Sequence, residues 1–179
     1  MFWALRDSGD IGFFAALGLP FVVIGLIVYF AFLSKATLDG SRAEAARQRA
    51  RDIRCLAENI YFEARGETLQ GQYAVGEVTM NRLASPFFPK TICDVVHDTR
   101  WDPARKRLVA HFSWTAFKLR LESGSAAWEQ AMVVATKVYD SDYQPVVPNA
   151  LFYHATSVTP YWASSKRVVA RIGSHIFYR

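Results

Sequence analysis

Only two cysteines, Cys55 and Cys93, occur in the 179 residues, and they do not form a C-x-x-C pair. A disulfide-dense scaffold and a cysteine-paired zinc module are therefore excluded. The four histidines, His97, His111, His154 and His175, lack H-x-x-x-H and H-E-x-x-H spacing, so no metal is expected. There is no glycine-rich phosphate loop, dinucleotide fingerprint or G-x-S-x-G elbow, and no cofactor is expected. Glycine and proline are sparse, at 10 and 7, while 51% of the chain is apolar, which rules out a low-complexity or disordered protein. The net charge is +5 and the basic residues are dispersed. Such a balance suits an acidic polymer or a membrane surface, and nucleic acid is not an expected partner.

The N-terminal part carries one long uncharged run. Ile11 to Ser34 holds no charged side chain over 24 residues, enough helix to span the ~30 Å hydrocarbon layer. A secretory signal would have a shorter apolar core and a basic start; here one arginine faces two aspartates in the first ten residues. The organisation expected is a tail over 1–10, a transmembrane anchor over 11–34, a polar helical stalk over 35–52 and a globular domain over 53–179. Six basic residues against three acidic ones in 35–54 favour a cytoplasmic location for that domain by the positive-inside tendency. Two reduced thiols or one disulfide outside the cytoplasm both accommodate the cysteine pair, and the disulfide is the expectation taken here.

Inside the domain, Ile53, Leu56, Ala57, Ile60 and Ala64 recur at helical steps and predict one buried stripe. Gly66 offers a left-handed helix end. Further helices are expected over Gln72–Leu83, over Pro89–His97 with proline in the first turn, and over about Ser125–Tyr139. Ala150–His154 reads as a strand, and Arg167–Ile172 with His175–Tyr178 as a hairpin across Gly173-Ser174. Helices first and a small antiparallel sheet after them make an α+β fold.

Three carboxylates, Glu58, Glu63 and Glu67, cluster near the end of the first of these helices. Glu58 fits a solvated face. Glu63 falls about 80° from the centre of the apolar stripe at 100° per residue, at the margin of the core. A carboxyl against apolar walls holds its proton to higher pH, as a general acid requires. Aromatic residues are dense in the second half of the chain. Phe112 and Phe177 suit the core, while Trp114, Tyr153 and Trp162, beside Asn81, Ser113 and His154, suggest a groove for stacking sugar rings.

The blocks N-I-Y-F-E-A-R-G-E (59–67), G-Q-Y-A-V-G-E-V-T-M-N-R (71–82) and P-K-T-I-C-D-V-V (89–96) resemble the cell wall hydrolase family of the spore-cortex-lytic SleB/CwlJ type. H-F-S-W (111–114), F-Y-H-A (152–155), P-Y-W (160–162) and I-G-S-H-I-F-Y (172–178) follow in the same order. The resemblance implies a lysozyme-like domain that cleaves the glycan strands of peptidoglycan, with Glu63 as its acid/base. Glu67 and His175, in the matched blocks, join Asn81, Ser113, Trp114, Tyr153, His154 and Trp162 as expected substrate-binding residues. The cortex-lytic branch implies a lytic transglycosylase, which needs one carboxylate and leaves 1,6-anhydromuramyl ends. The alternatives are a water-using muramidase or glucosaminidase with Glu67, Glu77 or Asp102 as second acid, and an inactive peptidoglycan-binding protein. His111 stands where the family commonly has glutamine. Cleavage of wall glycan implies a domain facing the periplasm or cell wall from the inner (cytoplasmic) membrane, against the charge count.

Overall fold

The computed structural model describes residues 11–103, 105–117 and 119–179, with side chains from residue 21 onward; the expected tail over 1–10 lies outside them. The first helix, α1, runs from Ile11 to Ala64. Two compact units divide the chain at Arg47/Gln48. In the first unit the side chains from Phe21 to Leu33 are exposed along the helix. By length and composition this stretch is a candidate membrane span.

The second unit begins with the last turns of α1. Ile53, Leu56, Ala57, Ile60 and Ala64 are all buried, as their spacing predicts. Four of them, all but Ala64, join Tyr61 in a core with Ile92 and Val96 from α3 (Ile92–Val96) and Trp128, Ala131, Val134, Ala135 and Val138 from α4 (Ala126–Tyr139). Helix α2 (Leu69–Ala84) lies against both. At Gly76 a Cβ atom would stand 3.1 Å from Ile60 Cδ1 and 3.2 Å from a Val138 methyl, so only glycine allows this approach without a shift. Ala64, Ala74, Val75 and Val78 pack instead on Val147, Ala150, Ile172 and Phe177, which couples the helices to the sheet.

Two antiparallel sheets complete the unit. β1 (Thr99–Asp102) pairs with β2 (Arg107–Ala110), and β3 (Phe152–Ala155), β4 (Val168–Ile172) and β5 (His175–Tyr178) take the order β3-β5-β4. The α+β class and the hairpin across Gly173-Ser174 agree with the sequence reading, with Gly173 at φ +54°. Two expectations are corrected, and one element is new. The helix foreseen from Pro89 starts at Ile92, because Thr91 supplies the N-cap and accepts the Asp94 N–H. Gly66 is not left-handed; α1 closes through hydrogen bonds from Arg65 N–H to Tyr61 O and from Glu67 N–H to Ala64 O. The β1–β2 hairpin was not foreseen at all, its strands being four residues each, mostly exposed and without alternation. In the central strand β5 every residue is buried, so no in–out alternation survives.

Cys55 on α1 and Cys93 on α3 form a disulfide across a separation of 38 residues, as expected. For a loop of 38 residues, chain-entropy reasoning gives about 4 kcal/mol of stabilisation. Reduction should therefore move the urea midpoint sharply downward. Identical denaturation curves with and without reductant would contradict this.

Candidate active site

The end of α1 carries the site. Asn59, one turn before Glu63, is fully buried: its Nδ2 donates to Thr79 Oγ1 (3.1 Å) and its Oδ1 accepts Trp114 Nε1–H (2.9 Å). That bond sets the Trp114 ring on Phe62, with centroids 4.6 Å apart and planes 24° from parallel. Trp114 is thus pinned by its indole N–H and stacked on one face, and Ser113 stands exposed beside it.

Glu63 is partly buried, at the core margin that the helical wheel indicates. Its Oε2 accepts the Tyr153 O–H at 2.9 Å. Burial raises the carboxyl pKa above 4.5, and three weaker influences pull the other way: the Tyr153 hydroxyl, the Arg82 charge and the Trp114 backbone N–H. Burial and the adjacent Glu63 push the Tyr153 phenol well above its ordinary value, so it remains a donor at neutral pH.

Arg82 lies beneath this pair. It is buried, its Nε donates to Leu151 O (2.8 Å), and its guanidinium sits 4.7 Å from the Phe112 ring centroid and 5.3 Å from that of Phe88. Burial pulls its pKa down to about 10, which leaves it cationic at neutral pH. His111 is pushed down to about 4, by burial first and the Arg82 charge second. It is therefore neutral in the range where glutamine would also be neutral.

The remaining expected residues separate into three groups. Glu67 braces the β4–β5 turn: its carboxylate accepts the Ser174 N–H (3.1 Å) and hydroxyl, and those bonds with Ser174, the hydroxyl first, hold its pKa below 4.5. His175 Nδ1 lies 3.6 Å from Glu67, and its ring meets Tyr153 edge-on at 5.3 Å. Burial lowers the His175 pKa, so it adds little positive charge at neutral pH. His154 is buried, stacked on Tyr178 with its Nε2 2.8 Å from the Tyr178 hydroxyl, and Trp162 meets it edge-on at 5.6 Å. Neighbours on a strand face opposite ways, which explains why Tyr153 reaches Glu63 and His154 does not. Asn81 is apart from all of these, its amide donating to Val147 O and Ala150 O.

The other acids considered as a second catalytic group are committed elsewhere. Glu77 Oε2 accepts the Val146 and Val147 N–H groups at 2.8 and 3.1 Å, and Asp102 pairs with Arg105 at 2.9 Å. The sequence reading missed Asn59 and Arg82 as site residues. The signal for Asn59 was its place beside the apolar stripe, where a polar group needs a partner. A cleft of about 640 Å³ is lined by Tyr153, Arg82, Arg100, Arg105 and Lys166; Glu63 is not in its lining and is linked to it by the Tyr153 hydrogen bond. Its basic residues were also missed; of the run Arg105-Lys106-Arg107, Arg105 alone lines it, and the other cations come from separate parts of the sequence.

The family model described as cell wall hydrolase matches residues 66–178, starting just after Glu63. Spore cortex-lytic enzymes of Bacillus subtilis (strain 168) and Oceanobacillus iheyensis are each 33% identical over 127 residues, which is 70% of this chain and 37% and 41% of theirs. The chain thus spans about two fifths of the length of these curated relatives. Among solved structures, the catalytic domain of the germination-specific lytic transglycosylase SleB from Bacillus anthracis is 28% identical with a TM-score of 0.52, covering 72% of this chain and 93% of that one. The Bacillus cereus SleB catalytic domain is likewise 28% identical, with a TM-score of 0.53 over 72% of this chain and 89% of its own. With a fold shared with these domains and a family match across most of the compact unit, the chain belongs to the cell wall hydrolase family.

Proposed function

We propose that the chain cleaves peptidoglycan glycan strands as a lytic transglycosylase, with Glu63 as its single acid/base. The observation that carries this reading is the environment of Glu63: burial keeps the carboxyl protonated to higher pH, while Tyr153, Arg82 and the Trp114 N–H stand ready for the carboxylate. Glu63 gives its proton to the glycosidic oxygen as the bond to muramyl C1 breaks. The C6 hydroxyl of the same sugar attacks C1, and its proton passes to the Glu63 carboxylate. The strand gains a 1,6-anhydro end, and the enzyme returns to its starting state without water. A pair of catalytic carboxylates, as in most glycosidases, finds little support when Glu67, Glu77 and Asp102 all serve other bonds.

In this reading the α+β domain is lysozyme-like, residues 11–34 anchor it and residues 35–52 form the stalk. The disulfide supports a domain outside the cytoplasm, on the periplasmic or wall side of the membrane. Stacking on Trp162 and contacts near Tyr153 would hold the sugars.

Glu63→Gln should lower cleavage of purified peptidoglycan by about 10²–10⁴-fold, the usual contribution of general acid–base catalysis. Mass spectrometry should find anhydromuramyl ends only with wild type. Products heavier by one water would instead move the enzyme to the hydrolases, and full activity of the variant would remove Glu63 from the chemistry.

The variant also separates catalysis from folding. Because the folded-state pKa of Glu63 is raised, its favourable contribution is present below the unfolded value of 4.5 and is lost as pH rises through the folded value. Glu63→Gln should therefore be at least as stable as wild type at pH 7, measured by thermal unfolding.

Tyr153→Phe tests the electrostatics. The Tyr153 bond favours the carboxylate, so its loss raises the Glu63 pKa further. A rate that needs protonated Glu63 falls as pH climbs through that pKa, and the falling limb should move to higher pH in the variant. A limb that stays in place or moves down would contradict the assignment.

A further inference from the structure

The cleft beside Tyr153 has a charge composition unlike the rest of the chain. Four cationic side chains line it, Arg82, Arg100, Arg105 and Lys166, against one carboxylate, Asp102. The whole chain has 21 basic and 16 acidic residues, so the concentration is local. Each cation is held by a different segment. Arg105 lies in the β1–β2 turn, paired with Asp102 yet largely exposed. Arg100 on β1 pairs with Asp98 at 3.2 Å and sits 4.9 Å from the Phe88 ring centroid. Lys166, just before β4, places Nζ 3.8 Å from the Phe152 ring centroid. Arg82 lies deepest; it is 4% exposed, and its Nη1 meets no hydrogen-bonding partner among the described residues.

Like charges gathered in one concave site repel, and an anion entering it relieves that cost. Arginine forks match a carboxylate in two-point geometry. Trp101 and Tyr161 also line the cleft, 62% and 64% exposed, and offer flat faces to a sugar ring. Aromatic faces alone would serve a neutral glycan; the cations add a requirement for negative charge. The volume of about 640 Å³ lies within the range of small-ligand pockets.

Resting on the peptidoglycan reading above, we propose that this cleft binds the carboxylate-bearing substituent of a muramyl residue, so that the enzyme selects acidic strands over neutral glycan. That carboxylate has two sources, the lactyl group of a strand stripped of peptide and the acidic stem peptide of an intact one. Tyr153 and Arg82 belong both to the cleft wall and to the surroundings of Glu63. An acid seated in the cleft would therefore fix the register of the strand relative to the Glu63 carboxyl.

The test uses the full chain in detergent, carrying Glu63→Gln so that ligands persist. Three probes are compared by calorimetry: chitotetraose, peptide-stripped muramyl glycan fragments and fragments with intact stems. Acid-bearing fragments should bind about tenfold more tightly than chitotetraose, the size expected of one or two charge-assisted contacts. Raising salt from about 0.05 M to about 0.5 M should erode the difference. Arg105→Gln with Lys166→Gln should remove most of it, and Arg105→Lys with Lys166→Arg should restore it in the same background. Preference for stripped fragments alone identifies the lactyl carboxylate, preference for intact stems alone identifies the peptide, and preference for both shows that the cleft accepts either; each supports the proposal. Equal binding of all three, no binding of acidic fragments, or a preference that survives the glutamine pair would overturn it. Cleavage by the chain with Glu63 intact is scored separately. No cleavage alongside a clear acid preference removes the catalytic reading alone, and cleavage with no acid preference removes this inference alone.

Discussion

The hydrogen bond between Tyr153 and Glu63 joins two parts of the fold that local structure alone cannot bring into register. Glu63 belongs to a helix and Tyr153 to a strand 90 residues later. The bond has meaning only if the end of α1 is fixed relative to the sheet, and three further contacts fix it. Asn59 ties the helix to Thr79 and Trp114, Ala64 enters the same apolar cluster as Ile172 and Phe177, and Glu67 holds the turn at Ser174. Residues 59, 63 and 67 thereby reach four other segments of the domain, those of Thr79, Trp114, Tyr153 and Ser174.

The same arrangement sets an electrostatic balance. Desolvation favours a protonated Glu63, and the Tyr153 hydroxyl, the Arg82 charge and the Trp114 N–H favour the ionised form. Desolvation outweighs the other three, so the carboxyl holds its proton to higher pH than a surface glutamate. Burial disfavours the Arg82 charge without removing it, and its aromatic neighbours and its bond to Leu151 O hold it in place, so that charge acts at short range through a poorly screening interior.

What the sequence made legible followed from periodicity. The stripe from Ile53 to Ala64 located both the core and the margin where Glu63 lies, because both depend on a single local repeat. The Cys55–Cys93 pairing was legible because no third cysteine competes, and the Gly173 turn because Gly-Ser stands between two alternating runs. Long-range partners were not. Asn81 looks like a groove residue until Val147 and Ala150 claim its amide, and His154 until Tyr178 takes its ring nitrogen. The β1–β2 hairpin escaped because its strands are only four residues long and show no alternation. The charged character of the cleft escaped with it, since that hairpin carries two of the four cations.

Glu63 leaves the ribosome long before Tyr153 and Ser174, the residues that complete its surroundings. Until β3 and the β4–β5 turn are made and folded back, the carboxyl at the end of α1 has neither its burying wall nor its hydroxyl partner. A growing chain therefore holds an ordinary surface glutamate where the finished domain has a perturbed one. The perturbed acidity of Glu63 is thus a property of the folded domain alone, assembled from segments made far apart in time.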